Sequence, residues 1–170
     1  MRPLAIVSCE IRLEALARLV TGDVGLVVAL VRGAAPGAAI AAFLLVNVVL
    51  GVIWAWRGQG RLRALAPVAP RADDEAELET PDATKRRVIK GIVPAFVAVV
   101  VLALVYPGAG AVIAGVPAGI GAGDLHLLGW LRRLERDREE CFLRETPQSA
   151  FSGVRRPVYT RPISEVTAAT

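Results

Sequence analysis

The sequence predicts an all-α integral membrane protein whose four membrane-embedded helices form two helical hairpins. Three observations lead there. Residues 34–56 and 91–123 carry no charged side chain, and an uncharged run of about 18 or more mostly apolar residues marks a transmembrane helix. The second run is too long for one crossing of a ~30 Å hydrocarbon core at ~1.5 Å per residue, so it must turn back. A four-helix path also leaves 19 of the 20 Lys and Arg residues on one side, which the positive-inside rule makes the cytoplasm. Hydrophobic residues make up 54% of the chain, above the roughly 45–50% of soluble domains.

Residues 1–20 begin the chain as an amphipathic helix. Ile6, Cys9, Leu13, Leu16 and Val20 recur at spacings of three and four, with Glu10, Arg12, Glu14 and Arg18 on other faces. These charges break any apolar stretch a secretory signal would need. From Leu16 to Val31 the chain is long enough for about 24 Å of helix, short for a full crossing. Gly33, Pro36 and Gly37 then break it. Residues 38–56, "AAIAAFLLVNVVLGVIWAW", form the clearest span, about 28 Å long, with Trp54 and Trp56 at one end and Arg57 following. Residues 1–56 therefore hold the amphipathic N-terminal helix and the first membrane hairpin.

Residues 57–90 read as a charged cytoplasmic loop, with eight basic and six acidic residues and several prolines. The second hairpin, 91–131, turns at "PGAG" and ends at Trp130 before Arg132 and Arg133. Pro94 suits the first turn of its first helix. Residues 132–145 continue as a charged helical extension supported by Arg133–Asp137, Arg136–Glu140 and Glu140–Arg144 pairs. Residues 146–170, with little core material, read as a disordered tail. Both termini are expected in the cytoplasm, and the location is the cell membrane.

The most specific structural signal is a glycine-zipper-like strip. Ala111, Gly115, Gly119 and Gly123 are spaced by four, as are Asn47, Gly51 and Ala55 on the second helix. Small residues at this spacing let membrane helices approach closely. The two helices are therefore expected to pack through these faces, and a bulky residue at Gly119 to cost more than one at Gly121, off the strip.

No catalytic signature is present. There is no HExxH, GxSxG, CxxC or Walker A sequence, and the single histidine rules out a multi-His metal site within one chain. No catalytic residue, cofactor or metal is predicted. The net charge of +4 follows from membrane orientation, and no nucleic-acid motif accompanies it. The expected function is that of a non-catalytic accessory or scaffold factor, working through helix packing and its charged cytoplasmic segments. Its expected partners are the lipid bilayer and another membrane or cytoplasmic protein, with homo-oligomerisation left open.

A second reading is a small ion or proton channel or carrier, oligomeric or not, built on the intramembrane polar residues Asp23, Asn47, Asp124 and His126. Ionisable residues inside a bilayer are costly and raise that hypothesis by default. Asp124 and His126, however, project about 200° apart on a helix at ~100° per residue, so they do not pair on one face. Cys9 and Cys141 lie too far apart in sequence to define a disulfide framework, and lipidation of either stays open.

Overall fold

A computed structural model describes residues 3–73, 76–146 and 157–169. The chain is mostly helical. Four long helices, α1 (Val7–Val31), α2 (Pro36–Leu65), α3 (Pro81–Val105) and α4 (Pro107–Arg138), run back and forth. Three of them, α2, α3 and α4, are long and apolar enough to cross a membrane.

Local chemistry sets the helix starts. Pro36, Pro81 and Pro107 each open a helix, where a missing N–H is harmless. Thr80 caps α3, its Oγ1 accepting from the Ala83 N–H at 3.3 Å. Pro94 differs from the sequence expectation. Because α3 begins at Pro81, Pro94 lies inside the helix and leaves the Lys90 carbonyl without its usual donor.

α4 is the hub. It packs along both α1 and α2, α3 packs mainly against α1, and α1 and α2 touch each other little. The expected pair of hairpins is thus correct in chain order but not in packing. Two neighbours share α4 because it carries small residues on two sides, with Ala111, Ala114, Ala118 and Gly121 all buried.

The sequence reading requires further corrections at the charged end. The molecule is not all-α: three short strands, β1 (Leu4–Ile6), β2 (Glu140–Glu145) and β3 (Val158–Pro162), form an antiparallel sheet in the order β1-β2-β3. The helical extension expected over 132–145 stops at Arg138, where Glu139 adopts a left-handed conformation with φ 55°. Residues 158–169, expected in a disordered tail, form β3 and a short helix, α5 (Ile163–Ala169). The expected loop is largely helix, since 57–65 continue α2 and 81–90 open α3.

The non-helical part of that connection closes the sheet. Leu4 donates its N–H to the Glu77 carbonyl at 2.8 Å and accepts from the Glu79 N–H at 2.8 Å. On the far edge, Thr160 donates to Pro70 and accepts from Ala72. Both edges of the sheet are therefore occupied, which removes the exposed edge that invites pairing with another chain.

One face of the sheet sends Phe142 and Val158 into a core with Val7, Ile11, Leu127, Leu128 and Leu131. The other buries Leu143 against Leu4 and Ala72. Phe142, Leu131 and Leu143 are fully buried. Each such side chain contributes about 1.5–3 kcal/mol of burial.

Candidate functional site

Asp124 is the centre of a polar site built by three helices. It lies on the α1-facing side of α4 and is only 4% exposed. Arg18 of α1 donates through Nη1 to Asp124 Oδ2. Trp54 of α2 donates its indole Nε1–H to Asp124 Oδ1 at 2.8 Å. Arg18 also donates through Nη2 to Glu14 Oε2 at 2.9 Å, one turn away. A buried carboxylate is costly unless paired and hydrogen-bonded, and here both of its oxygens are engaged. Trp54 keeps the amphipathic habit of its residue type, with an apolar body and a satisfied N–H.

The other polar residues singled out in the sequence do not join Asp124. Asn47 and His126 line a groove of ≈440 Å³ between α2 and α4, together with Gly51, Ala55, Gln59 and Gly123. His126 is exposed, and so is Asp23 on α1. The four residues are thus distributed over three surfaces.

The small residues are located as follows. A Cβ at Gly115 would stand 2.8 Å from the Phe43 carbonyl oxygen, one at Gly119 2.6 Å from that of Asn47, and one at Gly123 2.7 Å from that of Gly51. Ala55 lies beside Gly123, its N–H nitrogen 3.2 Å from that Cβ position. Ala111 sits higher, in a cluster with Ala29, Ala39 and Ala103.

Gly121, expected to cost less than Gly119, is also closely confined. A Cβ there would stand 2.8 Å from the Ala15 carbonyl oxygen, because α1 closes on α4 as tightly as α2 does. Gly22 of α1 comes just as close to Ala114 and Ala118. A four-residue spacing identifies one face of a helix; α4 uses two.

A second polar constellation had no local signal in the sequence. Glu10 is fully buried at the start of α1. Arg87 of α3 donates to its Oε1 at 2.6 Å, and Arg144 of β2 reaches its Oε2 through Nε at 3.1 Å. Arg87 also binds Glu79 through Nε at 3.0 Å and Nη2 at 2.7 Å, the two-pronged geometry that suits a guanidinium to a carboxylate. Thr84 adds a hydroxyl bond to Glu79 at 2.7 Å. Burial alone would raise the Glu79 carboxyl, but the bonds from Arg87 and Thr84 outweigh it and hold the group below its ordinary value. The partners of Glu10 lie 77 and 134 residues away, beyond the reach of any pattern of spacing.

Cys141 is half-buried on β2. Burial, with the nearby Glu135 carboxylate, pushes its thiol up to about 11. At neutral pH it is a protonated, weakly nucleophilic thiol. Among the described residues no three His, Cys, Asp or Glu side chains gather in a way that would hold a metal ion.

Compared with known proteins, the chain matches no family model, no curated protein sequence and no solved structure. The fold and site by themselves define its class: a helical protein with three helices fit to cross a membrane and a charged, partly β-stranded cap at one end of the bundle.

Proposed function

We propose that this chain is a multi-pass protein of the cell membrane that crosses the bilayer four times, keeps both termini in the cytoplasm, and works by binding rather than catalysis, as an accessory or scaffold factor. One observation carries the reading. β1, β2 and β3 form one sheet at the arginine-rich end of the bundle, and residues 70–72 and 77–79 hydrogen-bond to its two edges, so these parts of the chain must lie on the same side of any membrane. A path that starts and ends there needs an even number of crossings, and α1 is the fourth. Arg18, level with Asp124 and Trp54, lies near the headgroups and leaves about 20 Å of α1 beyond it. The bilayer accommodates so short a span by local thinning.

The binding role is supported by the contrast between the two ends. The charged end is a folded platform with buried ion pairs and a core of its own. The polar residues of the apolar layer do not line one path: Asp124 is held by Arg18 and Trp54 on one side of α4, while Asn47 and His126 face a groove on another. The partner is then another membrane or cytoplasmic protein that meets the platform.

Topology reporters test the first part. Fusions at Pro70 and Thr170 should report the cytoplasm, and a tag inserted at Ala34 the opposite side. Opposite results at Pro70 and Thr170 would end the four-crossing path. Reconstitution tests the second part. Liposomes carrying the protein under a pH or voltage gradient should show no saturable flux. A flux abolished by Asp124→Asn would replace the scaffold reading with a carrier.

A further inference from the structure

The gap between α1 and α2 is a basic cleft. Both helices lie on α4 and barely touch each other, which leaves a space of ≈430 Å³ below the level of Trp54 and Asp124. Arg18 and Ile11 line it from α1, and Arg57, Arg61 and Leu62 from α2. Leu127 of α4 forms the back wall, and Arg144 and Val158 bring the sheet to its lower end.

Four arginines line this cleft against two carboxylates, Glu14 and Asp124. Arg18 is engaged with both carboxylates, and Arg144 with Glu10. That leaves Arg57 and Arg61. Neither has a carboxylate or hydrogen-bond partner among the described residues, and both are exposed. They stand one turn apart on α2, where two like charges repel unless an anion lies between them.

The shape and depth of the cleft narrow the ligand. Two guanidiniums facing one space match the oxygens of a phosphate, which each can bind with two parallel N–H bonds. Arg57 lies three residues past Trp54, about 4.5 Å along the helix. A tryptophan of that kind marks the headgroup level of a bilayer.

We infer that the cleft between α1 and α2 is a binding site for a phosphate-ester anion, with Arg57 and Arg61 as its phosphate ligands, and that an anionic phospholipid of the cytoplasmic leaflet supplies it. The choice of lipid as the source rests on the membrane reading above; the phosphate chemistry does not. Bound there, the headgroup fills the space between α1 and α2 and neutralises the two neighbouring guanidiniums of α2, and so stabilises the end of the bundle that carries the sheet.

The test uses the full chain in non-ionic detergent. Thermal melting is followed with added phosphatidylglycerol, phosphatidylcholine or glycerol 3-phosphate. Phosphatidylglycerol should stabilise at concentrations at least tenfold lower than phosphatidylcholine. The Arg57→Gln/Arg61→Gln double variant should lose that preference. Arg63→Gln should keep it, because Arg63 stacks over the Trp130 ring at 5.6 Å, away from the cleft. The wild-type protein gives a second readout: the preference should shrink as salt is raised, since exposed charges are screened. Stabilisation by glycerol 3-phosphate equal to that by the lipid, with the same arginine dependence, would keep the phosphate site and overturn the lipid source. Equal response to both lipids, with none to glycerol 3-phosphate, would overturn the inference. Flotation with neutral phosphatidylcholine liposomes separates the two readings. Protein that does not float fails the membrane reading; protein that floats without a lipid preference fails the site alone.

Discussion

In its apolar half, α4 meets its neighbours through glycine and alanine, so closely that a single Cβ at Gly119 or Gly121 would collide with a backbone carbonyl. At its other end, the same helix contributes Leu127 and Leu131 to a core with Phe142 and Val158, and the arginines and carboxylates lie around that core. On the proposal that the apolar half lies in a bilayer, the solvent explains the difference. Among lipid tails there is no hydrophobic gain from bringing two helices together, so association depends on close contact, which only small side chains permit. At the polar end water is present, burial of large side chains is favourable, and a charge can be buried if it is fully paired. One helix therefore carries two packing codes, and they change near Asp124.

The largest expected effect tests the polar code. Glu10→Ala leaves Arg144 without its described carboxylate and deprives Arg87 of one of two. Removing one partner of a buried pair costs about 3–5 kcal/mol. The variant should lose its cooperative melt, or show it at much lower temperature, in detergent. A melt unchanged from the wild type would mean that the network adds nothing to the sheet.

The next test concerns the apolar code and its two faces. Gly119→Leu should force α2 from α4, and Gly121→Leu should force α1 from α4. Each is an overpacking change of about 1–3 kcal/mol. Gly129→Leu should be neutral, because a Cβ at Gly129 meets nothing within 4 Å. Comparison of the three by size-exclusion and melting checks it. Loss at Gly119 with full tolerance at Gly121 would show that only the α2 side is tight.

The smallest effect is one of pH. The Glu79 carboxyl is held below its ordinary value in the folded protein. Its contribution is therefore fully present above the ordinary glutamate range and is lost as the pH falls through the depressed titration. Melting temperature should fall on acidification, and Glu79→Gln should flatten part of that slope. A slope identical in the variant would assign the acid sensitivity to other carboxylates.

The apolar code was largely legible in the sequence and the polar code was not. Uncharged runs fixed the course of α2 and the α3–α4 turn, and the spacing of Gly115, Gly119 and Gly123 pointed to the face that lies against α2. These are local signals, with a period of a few residues. The sheet has no such signal. β1 is three residues long, and "ECFLRE" continues the helical stripe of α4 closely enough to be read as more helix. Only the left-handed turn at Glu139 diverts it, and nothing in the identity of a glutamate announces that conformation. Asp124 was noticed, but not its partners, because Arg18 is 106 residues away. The close contact at Gly121 has no such signal, because a helical wheel shows one helix and cannot count its neighbours.

The pairing of β1 with β2 also sets an order in time. Leu4 pairs with Glu145, and Glu10 waits for Arg144, 134 residues further on. At a synthesis rate of about 5–20 residues per second, that interval is on the order of ten seconds. All four long helices are made before β1 can pair with β2, and β3 follows later still. The sheet is therefore a latch that closes only on a completed bundle, and a chain truncated before Glu140 leaves Glu10 without Arg144 and β1 without β2.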